Sequence, residues 1–202
     1  MKRYVFMILA AALSCIFLAG CGSGKVKNYD RTTFLFQKDQ SVEVVSVESF
    51  REDYYDAEEL EKQVDDALNE VNSYFERVVK NGLAVEDGVA RLDLTYSDSS
   101  SYEKLNSCPL YYGTLAGAGQ QGYDTSSFMG ISSVDKKGTP LTESEATDMD
   151  DNIVIIISEP ADIITDSAII YASGNVEVTG KKEASAADSV SASQPAYLIL
   201  KK

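Results

Sequence analysis

The chain has no histidine and no tryptophan among its 202 residues. Without histidine it cannot form a Ser-His-Asp triad, a Cys-His pair or a zinc site that uses imidazole ligands. An enzyme built on this sequence has to use carboxylates, lysine, tyrosine or a hydroxyl group as its acid, base or nucleophile. The absence of tryptophan also removes the largest aromatic platform on which a sugar ring can stack.

Positive charge is also scarce, with 18 lysine and arginine residues against 32 aspartate and glutamate residues. The net charge of −14 at pH 7 repels phosphate backbones and anionic membrane surfaces. The composition therefore argues against nucleic acid as a partner. A solvated acidic surface is the simplest explanation of the charge, and attraction of cations or basic partners is the alternative.

The N-terminus has the three parts of a secretory signal peptide. Lys2 and Arg3 precede the uncharged apolar run YVFMILAAALSCIFLA at 4–19, and small residues follow it. The run is shorter than the roughly 20 apolar residues of a comfortable membrane span, which favours a cleaved leader over a transmembrane anchor. We expect residues 1–20 to be removed.

The letters L-A-G-C at 18–21 resemble the lipobox of bacterial lipoproteins at every position of that motif. The resemblance implies that Cys21 receives a diacylglyceryl group and becomes the first residue of the mature chain. Two acyl chains give stable anchoring, so we expect a lipid-anchored, extracytoplasmic protein on the outer face of the cytoplasmic membrane. The G-S-G at 22–24 is typical of a flexible linker, so residues 21–29 are predicted to tether the folded domain.

Cysteine is scarce once the leader is gone. Of the three cysteines, Cys15 leaves with the leader and Cys21 is the predicted lipid site. Cys108 then has no partner for an intramolecular disulfide. We interpret it as a buried small apolar residue, with a nucleophilic thiol as the alternative.

Hydrophobic periodicity predicts an α+β fold. Apolar residues recur at steps of three and four after an Asp56–Glu59 capping box, which predicts one long helix over about 57–80. The sheet packed against this helix is predicted to be mostly antiparallel. Alternating or β-branched runs predict two hairpins, at 32–47 and 83–96. Similar runs predict further strands in the C-terminal half, at 152–158, 167–173, 175–180 and 196–200.

About 180 residues remain after the leader, which is enough to bury one good core. The sequence therefore predicts a single α+β domain over 30–202, with two subdomains dividing near 107–125 as the alternative. A short helix is predicted over 98–106. The Ala- and Ser-rich segment 181–194 is predicted to be a mobile loop.

The string GAGQQG at 117–122 matches the G-x-G-x-x-G of a dinucleotide-binding turn. That fingerprint works between a strand and a helix whose N-terminus faces the pyrophosphate. The turn-like YDTSS at 123–127 predicts no such helix, and an extracytoplasmic site is the wrong compartment for the nucleotide. We therefore expect no dinucleotide and no other cofactor, and interpret the glycines as serving a tight loop or a close backbone approach.

Carboxylates in the segment 148–159 indicate a weak candidate cation site. Four residues match positions 1, 3, 5 and 12 of an EF-hand loop that would begin at Asp148, but Ile153 replaces the glycine of its sharp turn. An EF-hand is therefore rejected. A simpler carboxylate calcium site near Asp148, Asp150 and Asp151 is the candidate that stays, with a solvated acidic loop as the alternative.

Two pairs of adjacent tyrosines lie in predicted loops or at the ends of predicted elements. They are Tyr54 with Tyr55, and Tyr111 with Tyr112. Paired tyrosines combine ring faces with hydroxyl groups and can form a ledge for a sugar or a peptide, so these four are candidate ligand-binding residues. Edges of the core are the alternative interpretation. We assign no catalytic residue, because the sequence contains no consistent catalytic constellation.

The chain also resembles a group of small, uncharacterised lipoproteins from anaerobic Gram-positive bacteria. The strings that carry this resemblance are FLFQKDQSVEVVSVESF, YYDAEEL, VEDGVARLDL, LYYGTL and AYLILKK. The resemblance implies no catalytic residues, since none are assigned in such proteins. A second resemblance, to the GerM-like spore-germination domain, rests on DGVA at 87–90 and LDL at 92–94, where a turn enters a strand.

Together these features predict a membrane-anchored extracytoplasmic lipoprotein that binds or scaffolds a component of the cell envelope without catalysis. Its partners would be the membrane, through the lipid, and an envelope protein, a peptide or a glycan. One alternative is a histidine-free cell-wall or glycan hydrolase that uses paired carboxylates. Two carboxylates facing each other across a cleft, one of them desolvated, would favour it. Another alternative is a sporulation- or germination-related envelope module.

Overall fold

The computed structural model describes residues 26–73, 77–129, 131–135 and 139–202. The predicted leader and Cys21 lie outside the described residues. In the part that is described, strands predominate over helices, and the α+β class is confirmed. None of the helices found there is long and apolar enough to cross a membrane.

The described strands are β1 (Thr33–Phe36), β2 (Val42–Ser49), β3 (Val78–Glu86), β4 (Val89–Tyr96), β5 (Leu110–Thr114), β6 (Ser132–Ser133), β7 (Ile153–Ile157), β8 (Asp162–Thr165), β9 (Ile169–Ala172), β10 (Val176–Val178), β11 (Glu183–Ala186) and β12 (Ala196–Leu200). The described helices are α1 (Ala57–Asn72), α2 (Ser99–Asn106), α3 (Leu115–Gln120) and α4 (Glu143–Thr147), with a 3-10 turn at Thr125–Phe128. The strands belong to two mostly antiparallel sheets.

The chain divides into two compact units. Of the described residues, the first unit holds 26–33 and 41–107, and the second holds 34–40 and 108–202. Most of the second unit therefore follows the first in sequence. The exception is the short segment 34–40, which interrupts the first unit but belongs to the second.

In the first unit, β2, β4 and β3 lie side by side in that order, with β4 antiparallel to both of its neighbours. Helix α1 buries Val64 and Leu68 on the face that it turns toward this unit's core. The gap left among α1, β4 and α2 has a volume of only about 10 Å³ and is lined almost entirely by apolar side chains. A space of that size holds at most one water molecule, so this is a packed core and not a binding site.

The prediction of one helix through residue 80 is wrong in its last part. Helix α1 ends at Asn72, and strand β3 already begins at Val78. Val78 and Val79 are β-branched, so they fit a pleated strand better than a helix, and they pair with β4 at Tyr96 and Thr95. The apolar spacing continued past the real end of the helix because the first residues of β3 are also apolar.

The second unit contains a five-stranded antiparallel sheet in the order β5-β7-β12-β9-β6. Its central strands are buried on both faces, which agrees with their continuous apolar sequence. Strand β11 pairs with β10 on one side and β8 on the other. The loop predicted over 181–194 is therefore wrong for 183–186, where Ala184 and Ala186 are buried and alternate with more exposed residues.

Candidate functional site

A partly exposed group of aromatic rings lies between β2 and α1 in the first unit. It consists of Phe50, Tyr54 and Tyr55, and we call it the aromatic ledge. The Tyr55 ring centroid lies 4.9 Å from that of Phe50 and 4.8 Å from that of Tyr54, with the two tyrosine rings at 79°. Tyr54 is 46% exposed. The ledge therefore includes one of the two tyrosine pairs expected from the sequence, together with Phe50, which was not expected.

Backbone contacts hold the ledge at both ends. The N–H of Phe50 donates to the carbonyl of Gly88 at 2.8 Å, and the N–H of Tyr55 donates to the carbonyl of Glu52 at 3.0 Å. Directly after the ledge, the Asp56 side chain caps α1 by accepting from the backbone N–H of Glu59 at 2.9 Å. The rings are thus presented by a fixed connection.

Gly88 is required beside the ledge for two reasons. Its φ of +72° lies in the left-handed region, which side chains disfavour. A Cβ atom at this position would also lie only 2.7 Å from Cγ of Arg51. The tight β3–β4 turn therefore leaves room for the Arg51 stem next to the ledge.

Carboxylates give the ledge a negative surrounding. Loss of hydration, a hydrogen bond with Tyr54 and the charges of Glu52 and Glu48 all raise the pKa of the Tyr55 hydroxyl. Burial also raises the pKa of Glu48. The phenol is therefore neutral at physiological pH, and electron-rich ring faces lie next to acidic groups. Such a surface attracts cations.

Tyr111 and Tyr112 are buried residues of the second unit. Each is less than a tenth exposed. The hydroxyl of Tyr111 donates to the carbonyl of Thr114 at 2.8 Å, and that of Tyr112 donates to the carbonyl of Gln37 at 2.9 Å. Burial raises the pKa of both phenols. Their rings and hydroxyls are used inside the core of this unit, which matches the alternative interpretation that the sequence left open.

The three aspartates of the candidate cation site have separate environments. Asp148 ends helix α4, Asp150 accepts from the backbone N–H of Ala116 through its carbonyl, and Asp151 forms an ion pair with Lys202 at 2.9 Å. Over the described ranges, no group of three or more acidic or cysteine side chains is arranged to hold a metal ion. The described geometry gives the calcium prediction no support.

The glycines of the GAGQQG string lie at a helix rather than in the loop that was expected. Gly117 and Gly119 are inside α3, whose N-cap Thr114 accepts from the N–H of Gly117 at 3.1 Å. A Cβ atom on Gly117 would lie 2.6 Å from the hydroxyl oxygen of Tyr111 and 2.9 Å from Oγ1 of Thr114. Gly117 therefore permits a close approach, which was the other interpretation of these glycines.

A pair of carboxyl groups in the first unit was not identified from the sequence. Asp93 of β4 is only 3% exposed and accepts from Nδ2 of Asn81 at 2.7 Å. Burial raises the pKa of Asp93, and the hydrogen bond from Asn81 acts in the opposite direction. Glu43 lies near enough for its charge to raise that pKa further, and it forms an ion pair with Lys27 at 2.5 Å.

We call the segment 26–32 the N-terminal strap. It is held against β2 and β4, the strands that carry Glu43 and Asp93. Besides the Lys27–Glu43 ion pair, Nε of Arg91 donates to the carbonyl of Tyr29 at 2.9 Å. Oγ1 of Thr32 accepts from the N–H of Val47 at 3.1 Å. Alternation in β4 had placed Asp93 on the polar face of the strand. Only the folded structure shows that Asp93, on this face, is buried.

Two open cavities lie in the second unit. One has a volume of about 390 Å³ and is lined by small and apolar residues together with the carboxylates of Glu143 and Asp150. The other has a volume of about 410 Å³, and Lys181 and Lys201 are part of its lining. Both volumes fall in the range of small-molecule sites.

No protein-family model, no curated protein and no solved structure matches the chain.

Proposed function

We propose that the protein is a membrane-anchored extracytoplasmic lipoprotein and that its folded part is a non-catalytic binding module of the cell envelope. The anchoring is supported by the L-A-G-C motif at 18–21. The binding role is supported by one observation above all, the exposed and backbone-fixed aromatic ledge with Tyr54 at its tip.

The chemistry of the ledge favours a basic peptide segment as its ligand. A lysine or arginine side chain over a tyrosine ring gains about 0.5–1 kcal/mol at an exposed site. The carboxylates of Glu48 and Glu52 add attraction for the same charge, and the net charge of −14 acts in the same direction at longer range. Anchoring in the membrane would raise the effective concentration of the module near envelope partners.

The carboxyl pair does not favour the hydrolase alternative. A glycosidase needs its two carboxyl groups about 5–9 Å apart and open to a sugar ring and a water molecule. Asp93 is 3% exposed and is bonded to Asn81, while Glu43 is paired with Lys27. Asp93 is itself buried, so a substrate could not reach it without local opening of the fold.

The test is a binding titration on the full-length chain in a nonionic detergent. The ligands are a lysine-rich peptide, the same peptide with glutamate in place of lysine, and a cell-wall glycan fragment. We expect saturable binding of the lysine-rich peptide, weakened by about two- to fivefold in Tyr54→Leu and by about threefold in Glu52→Gln. Tyr29→Leu is the matched control, because it removes a half-buried tyrosine away from the ledge, and it should leave the affinity unchanged.

Other results would change the conclusion. Binding of the glycan alone, lost in Tyr54→Leu, would keep the ledge as the site and replace the ligand. Turnover of the glycan that Asp93→Asn abolishes would establish the hydrolase. Peptide binding that is equal in Tyr54→Leu and the parent chain would remove the ledge from the proposal.

A further inference from the structure

The cavity that contains Lys181 and Lys201 has a charge opposite to that of the protein. We call it the lysine cavity. It opens in the second unit with a volume of about 410 Å³. Its apolar wall includes Ile169, Ile170 and Val178, and its charged residues are Lys181, Lys201 and Asp135. Two lysines and one aspartate thus belong to the lining, and the carboxylate of Glu183 lies beside Gly180 at its edge, in a chain whose net charge is −14.

Backbone hydrogen bonds bring the two lysines to neighbouring positions at the start of β9. The carbonyl of Lys181 accepts from the N–H of Ile169 at 3.0 Å, and the N–H of Lys201 donates to the carbonyl of Ala168 at 2.7 Å. The two lysines are 20 positions apart in the sequence but are fastened to consecutive residues. Because main-chain atoms make these bonds, the side chains are left to line the cavity.

The ammonium groups of Lys181 and Lys201 form no ion pair with any residue that the structure describes. Their sequence neighbours are engaged. Nζ of Lys182 donates to the carbonyl of Asp166, and Nζ of Lys202 forms its ion pair with Asp151 at 2.9 Å. The two lysines of the cavity are therefore available to a ligand.

We propose that the lysine cavity binds the phosphate group of a small phosphate ester that carries hydroxyl groups. An ammonium group is a compact charge with three donors, and two of them together suit the several oxygens of a phosphate. The Thr179 hydroxyl in the lining adds a further donor. Asp135 would repel a bare anion but can accept hydrogen bonds from ligand hydroxyl groups, which is why an ester of a polyol fits better than free phosphate.

This chemistry is shared by a soluble phosphate ester and by the headgroup of an anionic phospholipid. It does not depend on the aromatic ledge, which belongs to the first unit, so the two proposals can fail independently. Attraction by the two lysines has to overcome the negative field of the whole protein. Salt screens the attraction between the lysines and the phosphate group, so we expect the affinity to fall as salt is added.

The experiment is equilibrium dialysis of the full-length chain in nonionic detergent against radiolabelled glycerol phosphate. The double variant Lys181→Gln/Lys201→Gln should bind the label at least about tenfold more weakly. The control is Lys62→Gln/Lys104→Gln, which makes the same change of net charge on exposed helix positions of the first unit. It should stay within about twofold of the parent chain.

Competition distinguishes the two sources of the phosphate group. Displacement of the label by glycerophosphoglycerol, the deacylated headgroup of phosphatidylglycerol, more readily than by unlabelled glycerol phosphate indicates a lipid headgroup. The reverse order indicates a soluble ester. The proposal is overturned if no saturable binding occurs up to about 10 mM, where the binding free energy is only about 2.7 kcal/mol. It is also overturned if both double variants bind equally well.

Discussion

Asn72 holds Val78 through both backbone polar groups of that residue. Its Nδ2 donates to the Val78 carbonyl at 2.6 Å, and its Oδ1 accepts from the Val78 N–H at 3.1 Å. The same Oδ1 also accepts from the N–H of Arg77 at 3.0 Å. A single side chain at the last position of α1 therefore fixes the first residue of β3.

Replacing Asn72 by alanine should destabilise the first unit. The variant loses three hydrogen bonds and leaves partly buried backbone groups without those partners, which should cost about 1–3 kcal/mol of unfolding free energy. Urea unfolding followed by circular dichroism measures the change. The control is Ser73→Ala, which removes one exposed hydrogen bond to the Glu70 carbonyl and should cost less than about 0.5 kcal/mol. Equal losses in the two variants would contradict this role.

Asp93→Asn should make stability less dependent on pH. Burial raises the pKa of Asp93 in the folded state. The stability that this group contributes is therefore complete below its unfolded pKa of about 3.9 and is lost as pH rises through the higher folded value. The amide oxygen of the variant can still accept from Asn81, and it carries no charge at any pH. The variant should gain stability relative to the parent as pH rises above about 4, measured by urea unfolding.

Asp124→Asn is the control with the opposite sign. Hydrogen bonds from the Ser126 side chain and backbone lower the pKa of Asp124. Its contribution is present above the unfolded pKa and is lost as pH falls, so this variant should lose stability relative to the parent as pH rises from about 3 to about 5. For Asp93→Asn, the unfolding free energy could instead differ from that of the parent by the same amount at every pH above about 4. That result would mean that Asp93 is ionised in the folded state without penalty.

The two glycines of α3 should respond differently to alanine. In Gly117→Ala the new methyl group meets the Tyr111 hydroxyl at 2.6 Å, so the buried ring has to move and its hydrogen bond to the Thr114 carbonyl is strained. We expect a loss of about 1–3 kcal/mol. In Gly119→Ala the nearest atom is Cγ2 of Thr125 at 3.4 Å, which allows the helix to gain up to about 1 kcal/mol. Thermal unfolding of both variants tests this, and similar melting temperatures would contradict it.

Removing a tyrosine hydroxyl should lower the unfolding free energy when the tyrosine lies in the core, and not when it lies on the ledge. Tyr112→Phe loses the bond to the Gln37 carbonyl at 2.9 Å and should cost about 1 kcal/mol of unfolding free energy. Tyr54→Phe keeps an exposed ring and should be neutral to within about 0.5 kcal/mol. Chemical denaturation compares them directly. A larger loss in Tyr54→Phe would mean that the ledge is a structural element rather than a free surface.

The sequence predicted elements well where a local signal was unambiguous. Asp98 was expected to begin a short helix, and its carboxylate does accept from the N–H of Ser101 at 2.7 Å at the start of α2. The alternation of β4 was also found, except at Asp93, which is buried although it lies among the polar positions of the strand. The end of α1 was missed because the amide of Asn72 acts on residues across a turn, and periodicity does not record such a contact.

The candidate binding residues were harder to predict because burial depends on distant parts of the chain. The two tyrosine pairs look alike in sequence, yet Tyr54 is exposed and Tyr112 packs edge-on against Phe36 at 5.0 Å. Phe36 lies 76 positions away, so no local pattern reports this contact. Lys181 and Lys201 were missed for the same reason, since only the pairing of their backbones near Ala168 brings them together.

The fastening of the N-terminal strap limits how far the folded part can stand from a lipid on Cys21. Lys27 is already bound to Glu43, so only residues 22–26 lie between the proposed lipid site and this ion pair. An extended chain covers at most about 3.6 Å per residue, which limits that separation to about 20 Å. Under the proposed anchoring, the module would search a thin layer next to the bilayer and could not reach deep into a cell wall. Breaking the Lys27–Glu43 pair would lengthen that reach by releasing more of the strap.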